Sequence, residues 1–265
     1  EIVVKAVSKK EIQDIARVLV VGDGQILEKA KEICKLPLKL KRIEKAEDCG
    51  EEKDTLYYLQ EGKIPMEEFS YGKVSAMCGA AAFSYIKKAI ELANHKEVDA
   101  VATTPINKES LKAAGVPYIG HTEIFGALTG TDDPLTMFEC NGMRVFFLTR
   151  HVSLRKMLDM ITKERIKDYV KRCLEALKKL GVSEGTMAIA GLNPHCGEHG
   201  LFGDEEVREI IPAVEELQKE GYPVVGPIGA DSVFHQAAQG RFNSVLSLYH
   251  DQGHIATKTL DFDRT

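Results

Sequence analysis

The chain has 265 residues, 44% of them hydrophobic and 28% charged, with no low-complexity tract, which is enough for one large domain or two modest ones with a real core. A net charge of −5 and a pI of about 6.0 argue against nucleic acid as the main partner, and no apolar run approaches the roughly 20 residues of a membrane span. Six cysteines without CxxC spacing read as reduced cytosolic thiols that serve packing. No signal peptide opens the sequence. It begins at Glu1 inside a helical pattern without a capping residue and stops at Asp263-Arg264-Thr265 with no closing element, so the expectation is part of a longer protein.

The apolar run Ala16 to Val21, bounded by Gly22-Asp23-Gly24, predicts a buried strand and a turn. That turn is too short for a dinucleotide fingerprint, since position 27 is Leu27, and reads as a plain strand-to-helix connection. A short helix follows over Ile26 to Cys34, then a charged, irregular stretch to Lys63 with a strand at Thr55 to Leu59. Lys73 to Asn94 is a long helix in which Val74, Met77, Ala81, Tyr85, Ala89 and Leu92 keep a 3.6-residue rhythm. Its small residues from Gly79 to Ala82 would let it lie close to a neighbour. Val98 to Thr103 predicts another buried strand, ended by Pro105, and Asn107 or Lys108 opens the helix Glu109 to Ala114. An ordered loop then feeds the apolar helix Ile124 to Leu128. His121 and Thr122 therefore sit at a helix N-terminus, where free N–H groups favour anions; the competing reading is that Thr122 only caps the helix.

Met143 to Leu148 predicts a strand ending at Thr149-Arg150-His151, followed by a helix from Thr162, its cap, to Leu180, closed by Gly181. A strand at Thr186 to Ala190 runs into the glycine-rich loop Gly191 to Glu206, which carries His195, Cys196 and His199. A helix is expected over Glu205 to Lys219, then a segment Val224 to Phe234 carrying Asp231. The last predicted strand, Val245 to Leu248, delivers Tyr249, His250, Asp251, Gln252, His254 and Lys258 onto a polar, glycine-containing loop. Alternating strands and helices make this an α/β chain with a mostly parallel sheet covered on both faces.

His151, His195 and His250 each follow a buried strand by a few residues, and in a parallel sheet those ends share one edge. Three imidazoles with open positions describe a divalent-metal catalytic site, most simply zinc, with magnesium, manganese or cobalt as alternatives. Two other pairs compete, His195 with His199 and His250 with His254, both at i, i+4. That spacing makes a metal pair only on a helix; Gly197 and Gly200 argue against helix in the first, and Gly253 weakens it in the second. Lys258, Lys108 and the His121/Thr122 helix start are candidates for binding phosphate or carboxylate. No G-x-S-x-G occurs, which argues against a hydrolase triad.

The segments TPINKESLKAAGVPYIGHTE, TRHVSL, GLNPHCGEHGLFGDEE and YHDQGHIATK, in that order, resemble the 4-hydroxythreonine-4-phosphate dehydrogenase family of pyridoxal phosphate biosynthesis. HDQGHIATKTLDFDRT looks closer to the branch acting on D-threonate or D-erythronate 4-phosphate. The resemblance implies an isocitrate/isopropylmalate dehydrogenase-like fold of two α/β/α domains with a cleft, divided as 1–120 and 121–265, the second carrying most metal ligands. It implies a cytoplasmic homodimer using NAD or NADP and a divalent metal, with His151, His195 and His250 as ligands and His250 supplied by the neighbouring subunit. Substrate contacts fall on His121, Thr122 and Lys258, while Lys108 and Asp251 are the candidate catalytic residues. Most of the NAD site is expected in a segment beyond Thr265, which also completes the first domain. The expected reaction oxidises 4-phosphohydroxy-L-threonine at C3 and decarboxylates the product to 3-amino-2-oxopropyl phosphate. An aldonate 4-phosphate is the alternative substrate, and a non-redox phosphate-ester-binding or acyltransferase-like protein is the alternative of another class.

Overall fold

In the computed structural model, which describes residues 1–263, the chain divides into two units, Glu1–Pro134 and the remainder from Leu135. The first unit opens with helices α1 (Ile2–Val7) and α2 (Lys10–Ile15), then β1 (Leu19–Gly22), α3 (Gly24–Cys34), β2 (Lys39–Ile43) and β3 (Thr55–Gln60). The strands pair in parallel in the order β1-β3-β2. Side chains alternate across β3: Leu56 and Tyr58 join Val4, Val20 and Leu27 on one face, while Tyr57 and Leu59 join Leu92 on the other. Asp23 caps α3, one carboxylate oxygen accepting from Gln25 N at 2.9 Å and the other from Ile64 N at 2.6 Å. Gly-Asp-Gly is thus the strand-to-helix turn its length implied.

The rest of this unit is helical: α4 (Ala76–Asn94), α5 (Lys108–Ala113) and α6 (His121–Thr129) share a cluster of Ile86, Ile90, Leu111 and Ile124. At Gly79 a Cβ would run into the Ser110 carbonyl oxygen, so the small-residue stretch does bring α4 against α5. One expectation and one competing reading fail here. Val98–Thr103 forms no strand, because an extended segment needs a neighbour to pair its N–H and C=O groups, and no described strand lies beside it. Thr122 does not cap α6; the cap is Gly120, and Thr122 is the second residue of the helix.

The second unit contains β4 (Met137–Cys140), β5 (Met143–Phe147), α7 (Leu154–Met160), α8 (Lys163–Lys179), β6 (Met187–Ala190), α9 (Ile211–Lys219), β7 (Val224–Ile228), α10 (Ala230–Ala238), β8 (Ser244–Ser247) and α11 (His250–Leu260). Its sheet runs β4-β5-β8-β6-β7, parallel except between β4 and β5. Asn141-Gly142, both at positive φ, make the two-residue turn of that hairpin. Every residue of β6 and β8 is buried, as parallel strands covered on both faces must be. α8 and α9 cover one face through Ile166, Tyr169, Val170 and Leu217, and α10 covers the other through Val233 and Ala237. Thr162 caps α8 as expected, accepting from Arg165 N at 3.3 Å.

Two helix departures bear on the histidine-bearing segments. In place of one helix from Glu205, a π-turn over Glu206–Ile210 precedes α9, because Pro212 has no N–H to continue the regular bonding. The residues after β8 form α11 and not a polar loop. Gly253 costs helix propensity, yet a Cβ there would lie 2.5 Å from Phe147 Cε1 and 2.7 Å from Ser247 Oγ. Its absence lets α11 sit directly on the sheet.

Candidate active site at the strand ends

The three histidines follow three adjacent strands, β5, β8 and β6, at their C-terminal edge. After β5 and β6 the chain passes to the face covered by α8 and α9, where Met157 of α7 and Ile210 belong to the same core. After β8 it passes to the opposite face, where Gly253 of α11 lies on Phe147. β8 is therefore a switch point, with the connections on either side leaving in the opposite sense. Open α/β sheets place their ligands at such a crevice.

Buried polar side chains hold the crevice walls. Thr149 Oγ1 donates to Leu248 O at 2.8 Å, tying the end of β5 to that of β8. Gln252 accepts from Leu248 N at 2.7 Å and donates to Gly191 O at 2.8 Å, tying β8 to β6. Arg165 reaches up from α8 to donate to Leu148 O at 3.0 Å. These groups satisfy backbone atoms where the ladder ends.

His151 and His250 stand together with ring centroids 5.5 Å apart, on an open groove of about 410 Å³ that also takes in Arg150, Ser153, Tyr249 and Asp251. His250 Nδ1 meets Asp251 Oδ1 at 2.6 Å. A carboxylate only accepts, so Nδ1 carries a proton, and in the neutral ring Nε2 is the free lone pair, the arrangement metal-binding histidines use. His254, one turn along α11, stacks on His250 at 4.0 Å and sits between Phe138 and Phe147. Its Nδ1 donates to His250 O at 2.9 Å, and burial pushes its pKa down. The i, i+4 pair set aside because of Gly253 is thus on a helix after all. Lys258 follows one turn further, its ammonium 5.6 Å from the Phe262 ring centroid.

His195 is delivered differently. His195, Cys196, Gly197, Glu198, His199 and Gly200 all have positive φ, a left-handed turn that costs roughly 1–2 kcal/mol for each non-glycine residue. Glu206, fully buried, anchors it: Oε1 accepts from Leu192 N at 2.8 Å and Asn193 N at 2.7 Å, and Oε2 accepts from Asn193 Nδ2 at 2.8 Å. Burial, with the Glu206 and Asp231 charges adding to it, raises the Cys196 thiol, so Asp231 at the start of α10 belongs to this corner too. The His195 ring has Phe202 as an aromatic neighbour, at 6.5 Å. Among the described residues no three His, Cys, Asp or Glu side chains gather as a metal-binding group. The structure brings two of the three candidate ligands side by side and leaves His195 on the neighbouring strand end.

In the first unit the candidate anion-binding residues converge. A Cβ at Gly120 would lie 3.9 Å from Lys108 Cε, so Lys108 borders the α6 N-terminus that carries His121 and Thr122. His121 Nε2 is buried with no hydrogen-bond partner, and burial lowers the pKa of the ring. Sequence reasoning missed Glu206 and Gln252. Two acidic residues stand side by side at 205 and 206, and nothing in the pattern says which is buried; Gln252 is hidden among more conspicuous neighbours.

A family model described as pyridoxal phosphate biosynthetic protein PdxA matches residues 14–265. The chain belongs to the PdxA family. It is 63% identical, over all 265 residues and 80% of the relative's length, to a Fusobacterium nucleatum protein provisionally named D-threonate 4-phosphate dehydrogenase. A Clostridium botulinum protein with the same provisional name is 58% identical over the whole chain and 79% of its own length. The crystal structure of a 4-hydroxythreonine-4-phosphate dehydrogenase from Burkholderia phymatum matches with a TM-score of 0.90 at 39% identity, covering 98% of this chain and 79% of that one. The PdxA-family relatives are named dehydrogenases, and this member is an enzyme of that kind. No helix among the described residues is long and apolar enough to cross a membrane.

Proposed function

We propose that the protein oxidises D-threonate 4-phosphate, or a close aldonate 4-phosphate, at C3 with NAD, and that the resulting 3-keto acid loses carbon dioxide. The 63% identity along the whole chain to a protein carrying that substrate's name supports this reading, against 39% for the 4-hydroxythreonine enzyme. The 0.90 TM-score with the latter keeps 4-phosphohydroxy-L-threonine, the substrate first expected from the motifs, as the second reading. In either case the C3–H would leave as hydride, with NAD as the oxidant the reaction requires, and the hydroxyl proton would go to a base. The β-keto acid then breaks its C–C bond to the carboxylate, and the electron pair enters an enol that is reprotonated. The isocitrate-dehydrogenase-like arrangement and the cytoplasmic location belong to the same proposal.

His151, His195 and His250 would hold a divalent cation, with zinc favoured by three imidazoles. The donor chemistry fits in kind, three imidazoles with Nδ1 of His250 bonded to Asp251, whichever subunit supplies His250. When bound, the cation supplies polarisation of the reacting oxygen, and NAD supplies the hydride acceptor. Asp251 fixes the His250 ring and holds its Nδ1 proton. Lys108, His121, Thr122 and Lys258 would bind the substrate's anionic groups, and the buried, unpartnered His121 Nε2 calls for a polar ligand. Exposed Leu154, Leu201, Phe202 and Ile255 lie on the segments that follow β5, β6 and β8, which suits a homodimer covering this edge.

NADH formation from the two substrates side by side, with and without chelator, tests the reading. Chelator-sensitive turnover of the aldonate is expected; turnover of the amino acid alone would reverse the substrate order, and none with either would end the proposal. Mixing His195→Ala and His250→Ala chains tests the subunit assignment. Mixed dimers regain turnover if His250 works across the interface and stay inactive if each chain supplies its own.

A further inference from the structure

We infer that Glu206 is the positioning residue for His195, setting metal affinity through the left-handed turn without touching the metal. This rests on the reading of His195 as a ligand. The side chain is fully buried and accepts three hydrogen bonds, two from the backbone where β6 ends and one from Asn193 Nδ2. Those bonds fix Leu192 and Asn193, and Cys196 N donates back to Asn193 O at 3.0 Å, closing the turn that carries His195. The turn wraps the carboxylate closely: a Cβ at Gly197 would lie 3.0 Å from Glu206 Oε2 and 2.8 Å from Gly203 O. Left-handed backbone at His195 and Cys196 is unfavourable by itself, so it persists only where something outside the turn holds it. The π-turn begins at Glu206, whose carboxylate meets the loop through these bonds, and π-turns are frequent at functional sites.

The hydrogen-bond pattern makes the inference testable. In Glu206→Gln the amide oxygen can keep both backbone bonds, but its NH2 must face the NH2 of Asn193. Asn193 Nδ2 also donates to Glu205 Oε2 at 2.7 Å. The rescue therefore adds Asn193→Asp, which gives the new NH2 an acceptor, together with Glu205→Gln, which gives the carboxylate now at position 193 a donor in place of a second carboxylate. The full chain, stripped of metal, is titrated with Co²⁺, whose visible spectrum reports ligand number, and each metal-free variant is melted alongside. Glu206→Gln is expected to weaken Co²⁺ binding about 10–100-fold, the usual range for a partner that orients a metal ligand, with a changed spectrum. The Glu206→Gln, Asn193→Asp, Glu205→Gln combination is expected to recover most of the affinity. Should Glu206→Gln fail to fold, Asn193→Ala on the half-buried side of the same bond is read by the same criterion. Wild-type Co²⁺ affinity in these variants, while His195→Ala has lost binding, would overturn the inference, even if melting temperatures drop. Retention of metal by His195→Ala would instead remove the ligand reading beneath it.

Discussion

The connections leaving β6 and β8 start from strands that are equally buried and lie side by side, yet they deliver their histidines by opposite means. After β8 the chain enters a regular helix, and His250, His254 and Lys258 follow at i, i+4 spacing on one face. Helical backbone costs nothing special there, and a neighbouring carboxylate, Asp251, orients the ring. After β6 the chain enters a left-handed turn in which His195, Cys196, Glu198 and His199 all adopt positive φ. That backbone needs a buried anchor, Glu206. The lesson is that one sheet edge can fix a side chain by periodicity or by an outside constraint, and the second kind depends on residues remote in sequence.

The sharpest way to break this contrast is Gly197→Ala. The new Cβ would sit at φ +76, 2.8 Å from the Gly203 carbonyl oxygen. Left-handed strain and overlap with backbone together cost roughly 2–4 kcal/mol. Because much of the turn is exposed, the cost should appear as local opening. Limited proteolysis should cut within residues 195–204 far faster than in the unsubstituted chain, while far-ultraviolet circular dichroism stays unchanged. Equal cutting rates would mean the turn is not held under strain.

The same contrast explains what could be read beforehand. β5, β6 and β8 were legible because strands buried on both faces must be continuous apolar runs, and Thr162 because its hydroxyl stands directly before a long periodic run. Val98–Thr103 has the same apolar look but pairs with no strand among the described residues, and pairing is not written in a segment's own residues. Gly253 was read as weakening a helix; its use is the closeness of Phe147, a residue more than a hundred positions away in sequence. Gly197 and Gly200 argue against a helix, but the run of left-handed residues was not legible, since Cys196 and Glu198 carry no preference for positive φ. The three strand-end histidines could be named from the sequence, but the means that hold His195 could not.

A second test addresses the tie between the two connections. Gln252→Ala leaves the buried Leu248 N–H and the Gly191 carbonyl without their partner, at a cost of roughly 1–3 kcal/mol. Denaturant titration should show a lower midpoint with an unchanged slope. Hydrogen exchange should speed up at Leu248 more than in the middle of β8. If exchange at Leu248 is unaltered, the strand ends are held by the ladder alone and Gln252 is a bystander.

The smallest effect, and the one that best tests the helical half of the comparison, is Gly253→Ala. Alanine gains about 1 kcal/mol of helix propensity over glycine. Against that, its methyl group would lie 2.5 Å from Phe147 Cε1 and 2.7 Å from Ser247 Oγ, on side chains that are themselves buried. Overpacking of this kind costs about 1–3 kcal/mol, so the net loss should be about 1 kcal/mol. Because the Phe147 ring also touches Phe138 and His254, the displacement travels toward the His250 stack. A second substitution, Phe147→Leu, opens space beneath position 253. If close approach is why glycine stands there, Gly253→Ala should cost less in the Phe147→Leu background than in the native one, measured as a double-mutant cycle in chemical denaturation. Strict additivity would show that α11 does not depend on that contact, and the glycine would then have to be explained by the helix start itself.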